Sequence, residues 1–210
     1  MSAPIQEFRA LTIHKLQESL GFKEPYYFKP DMLYPEASAL EAMTDLNFVP
    51  AATVAADSSF SHAHQMMKDR GVRMVFAIDA DKQVKGLLTA SDVLGPRPED
   101  IAQKLGIAQE ALLVQHVMTL VEVVEVLSLV DVVHARVGDI VATLRNSGRQ
   151  HALVVDREPP EDCLMIRGIF SASQIARQLG VPVKVGDLEH TYAQIEQAIR
   201  EYQHGKQDII

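Results

Sequence analysis

Apolar and polar positions along this chain fall into the same order twice. The first block opens with a short apolar stretch at residues 52–55, which predicts a strand. A helix follows in which Phe60, Ala63 and Met67 share one face at spacings of three and four. Gly71 marks its end, because glycine tolerates the left-handed φ of a C-cap. Strands are predicted over residues 73–78 and 84–88, joined by a tight Asp-Lys turn, and a second helix starts at Thr89-Ala90-Ser91-Asp92. The second block reads alike: a strand over residues 130–134, then a helix with Val137, Ile140 and Leu144 inward and Gly148 at its end. Strands over 151–155 and 165–170 come next, and a helix from Ser171-Ala172-Ser173-Gln174.

The echo extends to residue strings. Ala42-Met43-Thr44-Asp45 returns as Val117-Met118-Thr119-Leu120, 75 residues on. The helix–glycine–strand unit around Gly71 returns around Gly148 at an offset of 77, and Gly86-Leu87-Leu88-Thr89 returns as Gly168-Ile169-Phe170-Ser171 at 82. The last increase falls within residues 157–164, where Pro159-Pro160-Glu161-Asp162 predicts a longer turn. An offset that changes only at turn residues is the mark of a diverged duplication. One strand–helix–strand–strand–helix unit leaves a sheet face uncovered, and two such units cover each other's. The expected fold is therefore α/β (α+β): two β-α-β-β-α repeats packed sheet to sheet, with flanking N- and C-terminal helices. The expected organisation is an N-terminal helical and aromatic extension at 1–41, repeat 1 at 42–95, a linker helix at 96–117, repeat 2 at 118–180 and a C-terminal helix at 181–210. In the extension, Ile5, Phe8, Leu11, Leu16 and Leu20 share a helical face, and Tyr26-Tyr27-Phe28 is expected to pack on the repeats. Pro96 and Pro98 open the linker, and Asp187 caps a last helix with Tyr192, Ile195 and Ile199 inward.

Composition narrows the function. A net charge of −8 over 210 residues works against a general nucleic-acid or anionic-membrane surface, while leaving room for a local anion site. Cys163 is the only cysteine, which excludes an intramolecular disulfide and a multi-thiolate metal cage and suits a cytoplasmic setting. Charges spread through the first twenty residues leave no apolar core for a secretory signal. The most apolar stretch, 120–133, is interrupted by Glu122, Glu125, Ser128 and Asp131 and is too short to span a bilayer. His62 and His64 point to different helix faces, and His116, His134, His151 and His190 lack partners at metal-ligand spacing, so they read as surface or packed residues. With no nucleophile motif, phosphate loop or dinucleotide fingerprint, no enzyme and no metal site is expected.

The Met-Thr strings at 43–44 and 118–119, the helix–glycine–strand units ending in Asp79 and Asp156, and Gly86-Leu87-Leu88-Thr89-Ala90-Ser91-Asp92 resemble the pair of cystathionine-β-synthase-type (CBS) domains called a Bateman module. The likeness runs over residues 42–180, and the last string is similar to the family's Gly-x-x-Thr-x-x-Asp ligand motif. The residues support that chemistry. A helix start presents unpaired N–H groups, the Thr89 hydroxyl can join them around a phosphate, and the Asp92 carboxylate can accept both hydroxyls of a ribose. The same pair also suits an N-cap and a first-turn anion, with no ligand required. The resemblance further implies that an adenine would lie against Val54, Ala55 and Phe76, the last standing where the family often has proline. In the second copy Ser171 keeps a hydroxyl but Gln174 replaces the carboxylate, so a second site is expected to be weak or altered, with Arg167 and Arg177 flanking it. The implied function is a regulatory module that senses an adenosine-containing ligand (AMP, ADP, ATP or S-adenosylmethionine), with no required cofactor. It would dimerise through its repeats and act on a separate protein partner. The alternative is a ligand-free dimerisation scaffold with a decayed site.

Overall fold

Short-range signals start and stop the elements of both repeats in the computed structural model, which describes residues 32–158, 163–182 and 188–207. A short helix α1 (Ala39–Ala42) and strand β1 (Thr44–Asp45) precede the first repeat. The repeat itself is β2 (Thr53–Ala55), α2 (Phe60–Arg70), β3 (Met74–Ile78), β4 (Val84–Thr89) and α3 (Ala90–Leu94). The Ser59 hydroxyl accepts the His62 N–H at the start of α2, and Gly71 at φ 62° ends it. Between β3 and β4, Asp79 Oδ1 accepts the N–H groups of Asp81 and Gln83. The linker forms α4 (Arg97–Leu105), then α5 (Val114–Val117) and β5 (Thr119–Leu120). The second repeat is β6 (Val126–Ser128), α6 (Leu129–Val132), α7 (Val137–Asn146), β7 (His151–Glu158), β8 (Cys163–Ser171) and α8 (Ala172–Gln178). A final helix α9 (Leu188–Gln207) packs Tyr192 and Ile195 onto that repeat.

Two expectations change. The strand expected over 130–134 is instead β6 at Val126–Ser128, and a short helix occupies most of the expected span. Val126 pairs with Leu153 as Thr53 pairs with Phe76, but the second copy has longer chain between strand and helix. Its extra residues coil behind the Ser128 cap, so carrying the 77-residue offset back across them misplaces the strand. Val130 and Val133, whose branched side chains mimic a strand, are exposed. Strand pairing enters the segment expected as a turn over 157–164, through Arg157↔Leu164 and Glu158↔Cys163. Residues 5–20, Tyr26-Tyr27-Phe28, Pro159-Pro160 and Asp187 lie outside the described residues.

Sheet topology explains the repeated Met-Thr strings. One sheet runs β1-β8-β7-β6 and the other β2-β3-β4-β5. The strand that leads into repeat 1 therefore completes the sheet of repeat 2, with Thr44 opposite Ile169 and Asp45 opposite Gly168. The strand that leads into repeat 2 completes the sheet of repeat 1, with Thr119 opposite Leu87 and Leu120 opposite Gly86. Each crossing strand is preceded by a methionine that lies on a glycine of the host sheet. A Cβ on Gly86 would stand 2.9 Å from Met118 Sδ and collide with the Thr119 carbonyl oxygen, and one on Gly168 would collide with Met43. These glycines are required by close approach of another chain segment.

Three apolar clusters hold this arrangement. Phe60, Ala63, Met67, Val75 and Leu88 fill the first repeat, and Val137, Ile140, Leu144, Val154 and Phe170 fill the second. Met74, Phe76 and Leu153 form the third cluster between the two sheets, with Leu87, Ile166 and Ile169 around them. Strand β3 is buried on both faces, so it reads as a continuous apolar run. Among the described residues no helix is long and apolar enough to cross a membrane.

Substituting Gly86→Ala is expected to lower stability by about 1–3 kcal/mol, the usual cost of forcing atoms into packed space. Gly168→Ala should cost less, since its obstacle is the flexible Met43 side chain and not a backbone carbonyl. Urea unfolding of the two variants side by side checks the order.

Candidate functional site

The face-to-face packing of the sheets leaves two clefts, and the C-terminal ends of β4 and β8 place one hydroxyl residue in each. The first cleft, about 300 Å³, contains Thr89, Ser91 and Asp92 of repeat 1. Its opposite wall is Val124, Glu125, Arg149 and Gln150 of repeat 2. The second cleft, about 170 Å³, contains Ser171, Ser173, Gln174 and Arg177 of repeat 2, facing Pro50, Ala51, Arg73 and Phe76. A threonine from a crossing strand borders each: Thr119 the first, Thr44 the second. Both clefts have walls from both repeats.

That geometry separates residues that the sequence groups together. Thr89 and Asp92 share the first cleft, whereas Phe76 lines the second. Val54 is buried in the core of repeat 1 under its helices, and Ala55 is exposed; neither borders either cleft. The physical reason is the sheet-to-sheet packing, which brings the other repeat, and not the same one, opposite each hydroxyl residue. Ser171 and Gln174 do share a cleft. Of the two flanking arginines, Arg177 reaches the second cleft, while Arg167 is paired with Asp45 of the crossing strand β1.

The Thr89–Asp92 pair is fully engaged within the chain. Asp92 Oδ2 accepts the Thr89 N–H at 2.9 Å and the Thr89 hydroxyl at 2.7 Å, and the Asp92 N–H returns a bond to Thr89 Oγ1 at 3.2 Å. This is a reciprocal cap at the start of α3. Asp92 Oδ1 accepts from Arg97 at 2.9 Å, and the same guanidinium donates to Thr119 Oγ1 and to the Met118 carbonyl. Thr89, Asp92 and Arg97 thus form a clamp on the crossing strand. In the second copy Gln174 clamps directly: its Oε1 accepts from the Thr44 hydroxyl at 3.1 Å, and its Nε2 donates to the Ala42 carbonyl at 3.3 Å. The exchange of Asp for Gln keeps this role without an arginine.

The two clefts differ in charge. Asp92 and Glu125 border the first, where Glu125 pairs with Arg149 at 2.9 Å. Arg73 and Arg177 border the second, no carboxylate lines it, and neither arginine forms an ion pair among the described residues. Ser171 leaves its own helix uncapped, and its hydroxyl meets that of Ser173 at 3.1 Å. His151 borders both clefts. Burial, reinforced by the Arg73 charge, holds its imidazole down at about 4, against a smaller opposing pull from Asp92.

Among the cleft residues that reading along the sequence misses are Arg73, Glu125, Arg149 and His151. The signal for His151 lies in the repeat itself: it occupies the place that Met74 fills in the first copy, where the side chain is buried apolar. A polar residue substituting for a core position in one copy alone points to an asymmetric environment.

Residues 37–96 match the family described as CBS domain. No curated protein matches the sequence. Among solved structures, an uncharacterised conserved protein from Pyrococcus horikoshii superposes with a TM-score of 0.50 at 19% identity, over 73% of this chain and 100% of its own. That likeness shows a shared fold. A CBS-domain-containing protein from Agrobacterium tumefaciens gives 0.48 at 16% identity, over 70% of this chain and 98% of its own. A CBS protein crystallised with AMP gives 0.45 at 17% identity, over 67% and 94%.

The depressed His151 value carries a stability consequence. The unfolded chain binds a proton near 6.5 that the folded chain refuses until about 4. Stability from this group is complete above pH 6.5 and falls as pH drops toward 4, by up to about 3 kcal/mol. His151→Gln should remove that part of the acid loss, measured by urea unfolding across a pH series.

Proposed function

We propose that this CBS-domain protein is a regulatory module that binds an adenosine-containing nucleotide between its repeats and transmits occupancy as a change in their packing or in assembly. One observation carries the reading. The second cleft joins two arginines from opposite repeats, Arg73 and Arg177, which form no ion pair among the described residues, with the hydroxyls of Ser171 and Ser173. Arginine forks suit phosphate oxygens, and a phosphate-bearing ligand suits this cleft better than the cationic sulfonium of S-adenosylmethionine. Phe76 and Ile169 offer an apolar wall for the base, and Gln174 with Thr44 offers amide and hydroxyl groups to a ribose. A ligand that touches both repeats binds best when they are closed on it. It thereby has the differential affinity that a population shift needs.

In this reading Thr89 and Asp92 define a second position whose use requires Asp92 to leave Arg97. A homodimer formed through the repeats, with output to a separate protein, completes the proposal. Engagement of Asp92 and Gln174 in clamps favours one other reading, a ligand-free scaffold that retains these residues to hold its crossing strands.

Thermal melts with AMP, ADP, ATP and S-adenosylmethionine test the reading. A nucleotide at about a hundred times its dissociation constant adds about 2.7 kcal/mol, which is roughly 5–11 °C for a chain of this size. The shift is expected to vanish in Arg177→Ala and persist in Asp92→Ala. The reverse pattern would move the ligand to the Thr89 cleft, and no shift with any of the four would leave the scaffold reading.

A further inference from the structure

We infer that anion binding between Arg73 and Arg177 is linked to protonation of His151, the residue that forms a wall of both clefts. The inference deepens the ligand-module reading and rests on its arginine cleft, though not on adenosine as the ligand.

The geometry supplies the coupling. His151 begins β7 and stands opposite Ser171 on β8, so its backbone is held by the strand that carries the cleft hydroxyl. His151 lines both the arginine cleft and the Asp92 cleft. The charged groups around these clefts are Arg73 before β3, Arg177 on α8, Asp92 on α3, and the Glu125–Arg149 pair at the far rim. Arg73 opposes a positive imidazole and Asp92 favours one. With the cleft free of anions, burial and Arg73 prevail and the ring stays neutral. An anion seated on Arg73 and Arg177 cancels the opposing field while Asp92 remains in place. The ring then takes a proton from bulk water, and the imidazolium adds a third cation to the anion's surroundings. Linkage makes the effect reciprocal: what raises the proton affinity of His151 also tightens the anion at lower pH.

Met74, the matching position in the first copy, also lines both clefts but does not titrate, so the duplication has produced one titratable wall residue, His151, shared by the two. Because His151 also faces Asp92, its charge alters the first cleft whenever the second is filled. Protonation is thus the route by which occupancy of one cleft is felt in the other.

The test is NMR titration of the histidine ring signals of the full chain, with His151 assigned by His151→Gln. Sodium sulfate is compared with sodium chloride at equal ionic strength, sulfate being an anion whose charge stays constant over the range. The His151 midpoint is expected to rise from about 4 by about one pH unit or more in sulfate. The rise should disappear in Arg177→Gln, an exposed substitution that leaves the core intact. An unchanged midpoint, or a rise that survives in Arg177→Gln, overturns the inference. Failure here is distinct from failure of the nucleotide reading. A chain that melts higher with AMP but shows no movement of His151 loses the linkage alone. One that moves His151 with sulfate yet responds to no nucleotide keeps the linkage and loses adenosine.

Discussion

Everything in this molecule depends on two short strands that cross from one repeat to the other. Each contributes only two residues to its host sheet, too few to hold by ladder hydrogen bonds alone. Their hold comes from three further contacts. A methionine lies on a bare glycine, the threonine that follows is gripped by a polar side chain, and the short helix before it packs into the host repeat's core. Ala39, Ala42 and Met43 are buried in the core of the second repeat, and Val114, Val117 and Met118 in that of the first. The exchange makes the repeats interdependent, since neither sheet is complete without chain from the other half.

The same exchange creates the clefts. Packing two sheets through Met74, Phe76 and Leu153 closes the middle of the interface and leaves its two ends open. Each end is bordered by the residues that grip a crossing strand. Ligand chemistry and strand clamping therefore compete for the same side chains. At one end the competition favours the clamp, because Arg97 saturates Asp92. At the other, Gln174 grips Thr44 with a neutral amide, and Arg73 and Arg177 remain available to an anion. Loss of the carboxylate in the second copy, which by motif reading weakens that site, removes the group that would otherwise oppose a phosphate there.

Much of the fold is legible in the residues because its signals are local. The spacing of Phe60, Ala63 and Met67, the C-cap glycines and the hydroxyls of Ser59 and Thr89 are short-range physics, and α2 and α3 sit where these place them. The displaced strand at 130–134 shows the limit. A constant offset cannot reveal where extra residues enter, and exposed valines carry the same pattern as buried ones. The candidate site was legible only in part. Thr89, Asp92, Ser171 and Gln174 are recognisable by motif, but the residues that face them lie roughly thirty to a hundred and twenty positions away along the chain.

By itself the sequence determined that there are two repeats, that each runs strand–helix–strand–strand–helix, and which hydroxyl residues end their hairpins. Those properties follow from periodicity, capping and turn chemistry, which act within a few residues. Tertiary structure alone decided that the lead-in strands cross, that each cleft takes a wall from both halves, and that His151 stands between them. Those depend on sheet packing and on electric fields between groups distant in sequence, which no local pattern encodes.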